Sequence, residues 1–540
     1  MALKTIQTVG DVLPKQDAQG RPVLGVLANN MVVPLALPCV DGLDLVPLTR
    51  ADPFGFDIHR ASLVFLLAKC AAERYPGATF RVRHSIGPAL WCTLTGADVP
   101  SPDVCVVQLK ADLQALIAAD EPIDVEPVPY KDAVDFFSQA ERFDELHLLK
   151  HRNPPMVVLS RCGAFRALNQ VTLAPRSGLL AALWDLVAVD DGLVLNVPSL
   201  DNPDVVAPLP YTEPYFRVFR RQTERTRITG VETMGDLNQT ILENRFDDLV
   251  RTVEALQDKE LSRIADDIAI RKPSVRLVLI AGPSSAGKTT TARRLATHLR
   301  VNGLKPRLLS TDDYFVGDAR NPRDANGQLD YETVEAVDAE RLAADLNALF
   351  AGRPVHLRAF DFIKHDGFDR AAETTLPPNG VIILEGIHAL NPVLTRGIAD
   401  DVKFRIYLNA LTQLVVDSCN RLSATDTRLL RRLVRDFNFR GRSPIETFKL
   451  WDRVVVGERK WIYPYQGKAD AVFNSALDYE LAVLKPYASR LLNQVKPWHK
   501  EFAEARRLSG ILHNVSIASD HAVPGNSILR ETIGGSQLDY

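Results

Sequence analysis

LVLIAGPSSAGKTTTARRLATHL, residues 277–299, is the stretch that decides the fold. It opens on a short, uncharged apolar run that reads as a buried strand. Gly282-Pro283-Ser284-Ser285-Ala286-Gly287-Lys288-Thr289 then fits G-x-x-x-x-G-K-[ST], and Thr290 leads into a helix-like stretch. The two glycines permit a tight backbone path that points several N–H groups inward, while the positive end of the following helix faces the same space. Residues 282–290 therefore read as a phosphate cradle for ATP. Lys288 is placed to reach the β- and γ-phosphates, and the Thr289 hydroxyl to ligate Mg²⁺.

Strand and helix patterns alternate onward from this loop, the habit of a parallel α/β sheet, and ligands of such sheets sit at the carboxyl ends of the strands. PRLLS ends at Ser310 and delivers Thr311-Asp312-Asp313-Tyr314-Phe315. A carboxylate at Asp312 can deprotonate an attacking hydroxyl and help hold a metal, or it can merely cap the turn. A second apolar strand, residues 381–384, ends at Glu385, where an acid supports Mg²⁺ in P-loop proteins. Between them, Phe360, Phe362 and His365 are suited to gripping a ring and its polar edge, with a plain hairpin core as the alternative. Residues 421–442 hold seven arginines against two aspartates, with Arg428, Arg432 and Arg435 at helical spacing. Such a cluster can clamp phosphates, form a solvated helix face, or bind RNA.

The rest of the chain bounds this reading. Its 540 residues suggest several domains, and a formal charge of −3 gives no overall pull toward nucleic acid or anionic lipid. No apolar run reaches the length of a membrane span, and the start lacks a secretory pattern, so a cytoplasmic location is expected. The six cysteines form no CxxC pair, which argues for reduced thiols rather than a zinc site or disulfide framework. Short β-type runs fill residues 1–50, mixed helices and strands fill 51–225, and helical spacing without Gly or Pro marks 236–270.

GPSSAGKTT, STDDYF, LDYETVEAVD, RAFDFIKH, VIILEGIHALN and RRLVRDFNFRGR, in this order, resemble the uridine kinase and phosphoribulokinase family over roughly 275–485, nearest its nucleoside kinase branch. The resemblance implies transfer of the ATP γ-phosphate to the 5′-hydroxyl of a nucleoside, with a phosphoribulokinase-like sugar kinase as the enzymatic alternative. It aligns Asp312 with the catalytic carboxylate and Glu385 with the metal-supporting acid. It puts Glu332 where an aspartate usually holds the ribose hydroxyls, and Phe360, Phe362 and His365 on the base-binding segment. Arg432 and Arg442 match substrate-side arginines, and Arg435 and Arg440 belong to the lid over the phosphates. Phe360 replaces a tyrosine hydroxyl and Leu450 a glutamine, so two polar contacts to the base are missing.

Residues 20–225 resemble the amino-terminal region of threonyl-tRNA synthetase, a TGS-like module followed by a second additional domain. Its editing constellation is absent: Leu63 stands four residues after His59, and Gly163-Ala164-Phe165 follows Cys162. The two halves joined in one chain resemble a bacterial two-part nucleoside kinase group. The expected architecture is α/β: a P-loop kinase with a doubly wound parallel sheet at 273–495, preceded by a β-rich TGS-like module (1–50), an α+β domain (51–225) and a helical connector (226–272), and followed by a tail (496–540). The expected partners are a small-molecule nucleoside and no membrane or nucleic acid, with self-association left open. A non-catalytic nucleotide sensor or RNA-binding protein is the remaining alternative.

Overall fold

The computed structural model describes residues 7–539, except 182, 210–219, 221–223, 272–273, 325–326 and 362–363. Phe362, expected to face a base, thus lies outside the described residues. In the front half, β1 (Gly25–Ala28), β2 (Met31–Val33) and β3 (Leu45–Leu48) make a small antiparallel sheet in the order β2-β1-β3. β4 (Thr79–Ile86), β5 (Ala89–Thr95), β9 (Asp185–Val189) and β10 (Gly192–Asn196) form a second sheet, and β6 (Asp124–Pro129), β7 (Met156–Cys162) and β8 (Phe165–Leu168) a third. Helices α1 (Pro53–Arg74) and α2 (Pro102–Ala118) pack with the second sheet around one apolar core.

In the back half, β11 (Leu277–Ala281), β12 (Lys305–Ser310), β15 (Gly380–Glu385), β16 (Lys403–Asn409) and β17 (Ala471–Asn474) form a parallel sheet in the order β12-β15-β11-β16-β17. Every residue of β11 and β15 is buried, as a strand covered on both faces requires, which is why both read as unbroken apolar runs. Helix α5 (Lys288–Val301) follows β11, and α6 (Ala339–Phe350) packs by the hairpin β13 (Val355–Asp361) and β14 (Asp366–Thr374). Two helices stand over the sheet's carboxyl end, α7 (Ala424–Phe439) and α8 (Pro444–Trp461). Both start on a capping box: Asp426 N donates to Ser423 Oγ at 2.9 Å, and Ser443 N donates to Glu446 Oε2 at 2.8 Å.

The stretch between the halves carries α3 (Met234–Leu242) and α4 (Phe246–Ile270). α4 lays Leu261, Ile264, Ala265 and Ile268 into the core that also holds β11 and α5. Burial of each of the larger side chains contributes roughly 1.5–3 kcal/mol, so α4 is a layer of the sheet domain rather than a tether. Another core joins Phe137, Leu148 and Leu159 from the front half to Leu429, Leu433, Trp451 and Leu484 from the back half. Beyond residue 496, α9 (Phe502–His513) adds Leu508 and Leu512 to that core, and Ile528 enters the core beside α5. Among the described residues no helix is long and apolar enough to cross a membrane.

Candidate active site

The loop from β11 to α5 owes its course to two glycines. A Cβ on Gly282 would stand 2.0 Å from the Leu408 carbonyl oxygen, so only glycine lets the loop lie against β16. Gly287 has φ 88°, the left-handed region that a side chain disfavours. Lys288 Nζ donates to the Pro283 carbonyl at 3.2 Å, folding back over the loop. The buried Ser285 hydroxyl has no protein partner, and α5 starts after Gly287 without a side-chain cap. An uncapped helix start next to an unpartnered hydroxyl fits a polyphosphate.

The acids gather at the strand ends. Asp312 does not cap its turn: the cap is Ser310, whose Oγ accepts from Asp312 N at 3.3 Å, while Asp312 Oδ1 accepts from the Thr311 hydroxyl at 3.4 Å and the carboxylate feels the Lys288 charge. Burial pushes that carboxyl up, opposed by the charges of Lys288 and Arg440. Asp313 instead reaches Arg370 of the hairpin at 3.3 Å. Glu385 Oε1 accepts from the Thr289 hydroxyl at 3.0 Å, and burial together with nearby Asp312 pushes its carboxyl up to about 7. Burial lowers the Lys288 ammonium, while Glu385, Asp312 and Glu531 work to keep it charged. Thr289, Asp312 and Glu385 thus offer the hard oxygen donors that suit Mg²⁺.

Glu332 packs against α8, where a Cβ on Gly457 would come within 2.7 Å of the Glu332 Cβ. Burial pushes Glu332 up to about 7, with Arg432 opposing. Phe360 is buried at 7% exposure, its ring edge-on to Phe315 at 5.7 Å and to Tyr331 at 6.4 Å. It is therefore part of the hairpin's core. His365 sits in the turn between β13 and β14, 3.4 Å from the Tyr331 hydroxyl and 3.6 Å from Asp318. Leu450 lies within α8.

The arginine cluster divides into two sets. Arg428 and Arg431 are fully buried and pair with Glu458 and Glu480. Arg432, Arg435, Arg440 and Arg442 instead converge on Asp436, at 3.4, 3.1, 3.7 and 3.6 Å. Burial works against the Asp436 charge, but these guanidiniums outweigh it and hold the carboxyl below its ordinary range. Arg432 Nη1 also donates to Ser284 Oγ at 2.7 Å, and Ser284 N donates to Glu458 Oε1 at 3.1 Å, which ties α7 and α8 to the phosphate loop. Sequence reading missed Asp436, although it stands four residues from both Arg432 and Arg440, and it missed Glu458, whose partner Arg428 lies 30 residues away. It missed Glu531 as well, whose carboxylate accepts from the Thr290 hydroxyl at 2.8 Å across 241 residues of sequence.

Residues 277–482 match the profile of the phosphoribulokinase / uridine kinase family. A uridine kinase of Deinococcus deserti is 32% identical over 165 residues, covering 31% of this chain and 70% of the relative. One from Lactobacillus helveticus is 31% identical over 175 residues, covering 32% of this chain and 72% of the relative. Among solved structures, that of a possible uridine kinase from Bacillus stearothermophilus aligns with 40% of this chain and 100% of its own, at 22% identity and a TM-score of 0.27. The matched span carries the phosphate loop, the acids at the strand ends and the arginines around Asp436, and the chain that bears them, a phosphotransferase acting on an alcohol group, belongs to the phosphoribulokinase/uridine kinase family.

Proposed function

We propose that the chain is an ATP-dependent nucleoside kinase that phosphorylates a 5′-hydroxyl. The observation that carries this reading is the cluster at the strand ends: Glu385 Oε1 accepts from the Thr289 hydroxyl at 3.0 Å, and Asp312, part-buried in the turn after β12, feels the charge of Lys288. The loop amides, Lys288 and Thr290 would hold the triphosphate of ATP. Thr289, Asp312 and Glu385 would hold Mg²⁺, which when bound supplies positive charge to the transferring phosphoryl. Asp312 accepts the proton of the acceptor hydroxyl, a task for which an upward-shifted carboxyl is well matched. Glu332 orients the sugar, and Arg432 and Arg442 stand on the acceptor side. Lys288, Arg435 and Arg440 stabilise the charge that develops on the phosphoryl oxygens.

The base is held more loosely than the sugar. Phe360 offers no hydroxyl and Leu450 no amide, and a pocket without such groups discriminates by roughly 10- to 100-fold rather than about 10⁴. Steady-state ATP turnover with uridine, cytidine, adenosine, inosine and a set of pentose phosphates tests both points. Nucleosides should be accepted within about 100-fold of one another. Turnover confined to sugar phosphates would reject the reading.

A further inference from the structure

A segment outside the residues matched by the family profile reaches into the phosphate cradle. Residues 527–534 cross the start of α5, where Ile528 lies so close to Gly287 that a Cβ there would stand 2.5 Å from Ile528 Cγ2. Three residues on, Glu531 Oε2 accepts from the Thr290 hydroxyl at 2.8 Å, and Oε1 stands 3.8 Å from Arg435 Nη1 of α7. Thr290 is fully buried, and the Arg435 and Glu531 side chains are only 11% and 19% exposed, so solvent screens this contact weakly. Glu531 is also one of the three acids that sustain the Lys288 charge.

The segment is fixed from several sides. Ser527 Oγ lies 3.3 Å from the Tyr479 hydroxyl, and Arg530 donates to the Asp520 carboxylate at 3.1 Å and to the Val523 carbonyl at 3.2 Å. Asn438 Nδ2, in α7, donates to the Thr532 carbonyl at 3.3 Å. The same few residues therefore touch both the phosphate loop and the lid helix.

We propose that residues 527–534 are a component of the nucleotide site and that Glu531 is a positioning residue, holding Arg435 against the start of α5 so that its guanidinium faces the transferring phosphoryl. The proposal rests on the kinase reading above. Arg435 has one other carboxylate partner among the described residues, Asp436, which it shares with three further arginines. Without Glu531 the Arg435 charge is drawn toward Asp436 alone, away from Thr290. A catalytic group displaced by about 1 Å can lose about 100-fold in rate, whereas ground-state ATP binding still has the loop amides and Lys288.

The test is a double-mutant cycle in the full chain, pairing Glu531→Gln with Arg435→Ala and measuring kcat, MgATP affinity and Tm. Glu531→Gln should lower kcat by about 10- to 100-fold and change MgATP affinity less than about 3-fold. In the Arg435→Ala background the same change should cost almost nothing, because the group it positions is gone. Glu531→Asp, which keeps the charge, should recover part of the loss. Effects that multiply in the double variant, or an unchanged kcat for Glu531→Gln, overturn the proposal. So does a loss that tracks a falling Tm and that Glu531→Asp leaves unrelieved, since the segment would then only pack. If the unaltered chain turns over with no nucleoside or sugar phosphate, the kinase reading fails by itself. The cycle is then read on affinity for MgADP with aluminium fluoride, a mimic of the transferring phosphoryl that needs no acceptor. Tight binding should fall about 10-fold or more in Glu531→Gln and no further in the double variant, and additive losses there again overturn the proposal.

Discussion

Lys288 and Asp312 both stand at the sheet's carboxyl end and act on one another's charge, yet their removal should read differently. Lys288→Ala takes away a charge used in both ground and transition states, so ATP affinity and turnover should fall together. Asp312→Asn keeps the shape and loses the base, so turnover should fall by at least about 10³-fold while ATP binding largely survives. Near-normal turnover in Asp312→Asn would remove that residue from the chemistry. Glu332 allows a test by pH. Its folded carboxyl is pushed up to about 7 from an ordinary 4.5, so the folded state binds more protons across that window and stability falls as pH rises through it. Glu332→Gln should therefore stabilise the protein at pH 8 by about 2 kcal/mol, after discounting for partial exposure, and change little at pH 4. Paired denaturant titrations at the two pH values measure the difference. Equal stabilisation at both would mean that its ionisation is not the cause.

At the scale of the element, α7 is the part to watch, because one buried acid organises its arginines. Asp436 is fully buried, and Arg432 and Arg435 beside it are 7% and 11% exposed, whereas Arg440 and Arg442 are 49% and 41% exposed. The two exposed pairs are screened and contribute little; the two buried ones cannot lose their partner cheaply. Asp436→Ala should therefore cost ~3 kcal/mol in chemical denaturation and lower turnover as well, since Arg435 and Arg440 lose their common anchor. A loss below about 0.5 kcal/mol would show that the arginines find other partners. The hairpin of β13 and β14 illustrates the converse. Its aromatics satisfied both readings open at the sequence, ring grip and core, and the ring packing of Phe360 with Phe315 and Tyr331 places it in the core.

For the whole molecule, the two halves share structure just before α7. Val82 N donates to the Ser418 carbonyl at 3.2 Å, and Arg142 Nη2 donates to Ser418 Oγ at 2.8 Å. Both hold Ser418, a few residues before α7. A chain beginning at residue 232 should thus lose several degrees of Tm or its solubility, because Leu429, Leu433 and Trp451 lose the cover of Phe137, Leu148 and Leu159. Any such chain that stays folded should keep measurable ATP turnover, for no front-half side chain contacts Lys288, Asp312 or Glu385 among the contacts described. Turnover abolished in a shortened chain of unchanged Tm would show that the front half acts on the site directly. Within that half, Cys162 is buried, and its thiol is pushed up to about 12 by burial and by its bond to Glu121 at 3.3 Å, while burial lowers His59 to about 4. Neither is poised as a nucleophile or base near neutral pH.

The sequence by itself determined the parallel sheet, the phosphate loop and the order of its acids. Those signals are local: unbroken apolar runs where a strand is covered on both faces, and glycines where only glycine follows the path. Only the tertiary structure decided that Ser310 rather than Asp312 closes the turn, that Asp436 gathers four arginines, and that Glu531 meets Thr290. The first two are short-range, but which of several nearby side chains takes the partner is set by burial; the third has no fixed spacing and is made by packing that brings the helical turn at Arg530–Ile533 against the first turn of α5. A pattern of periods and motifs carries no record of such meetings, because the energy that selects them comes from burial shared among distant segments.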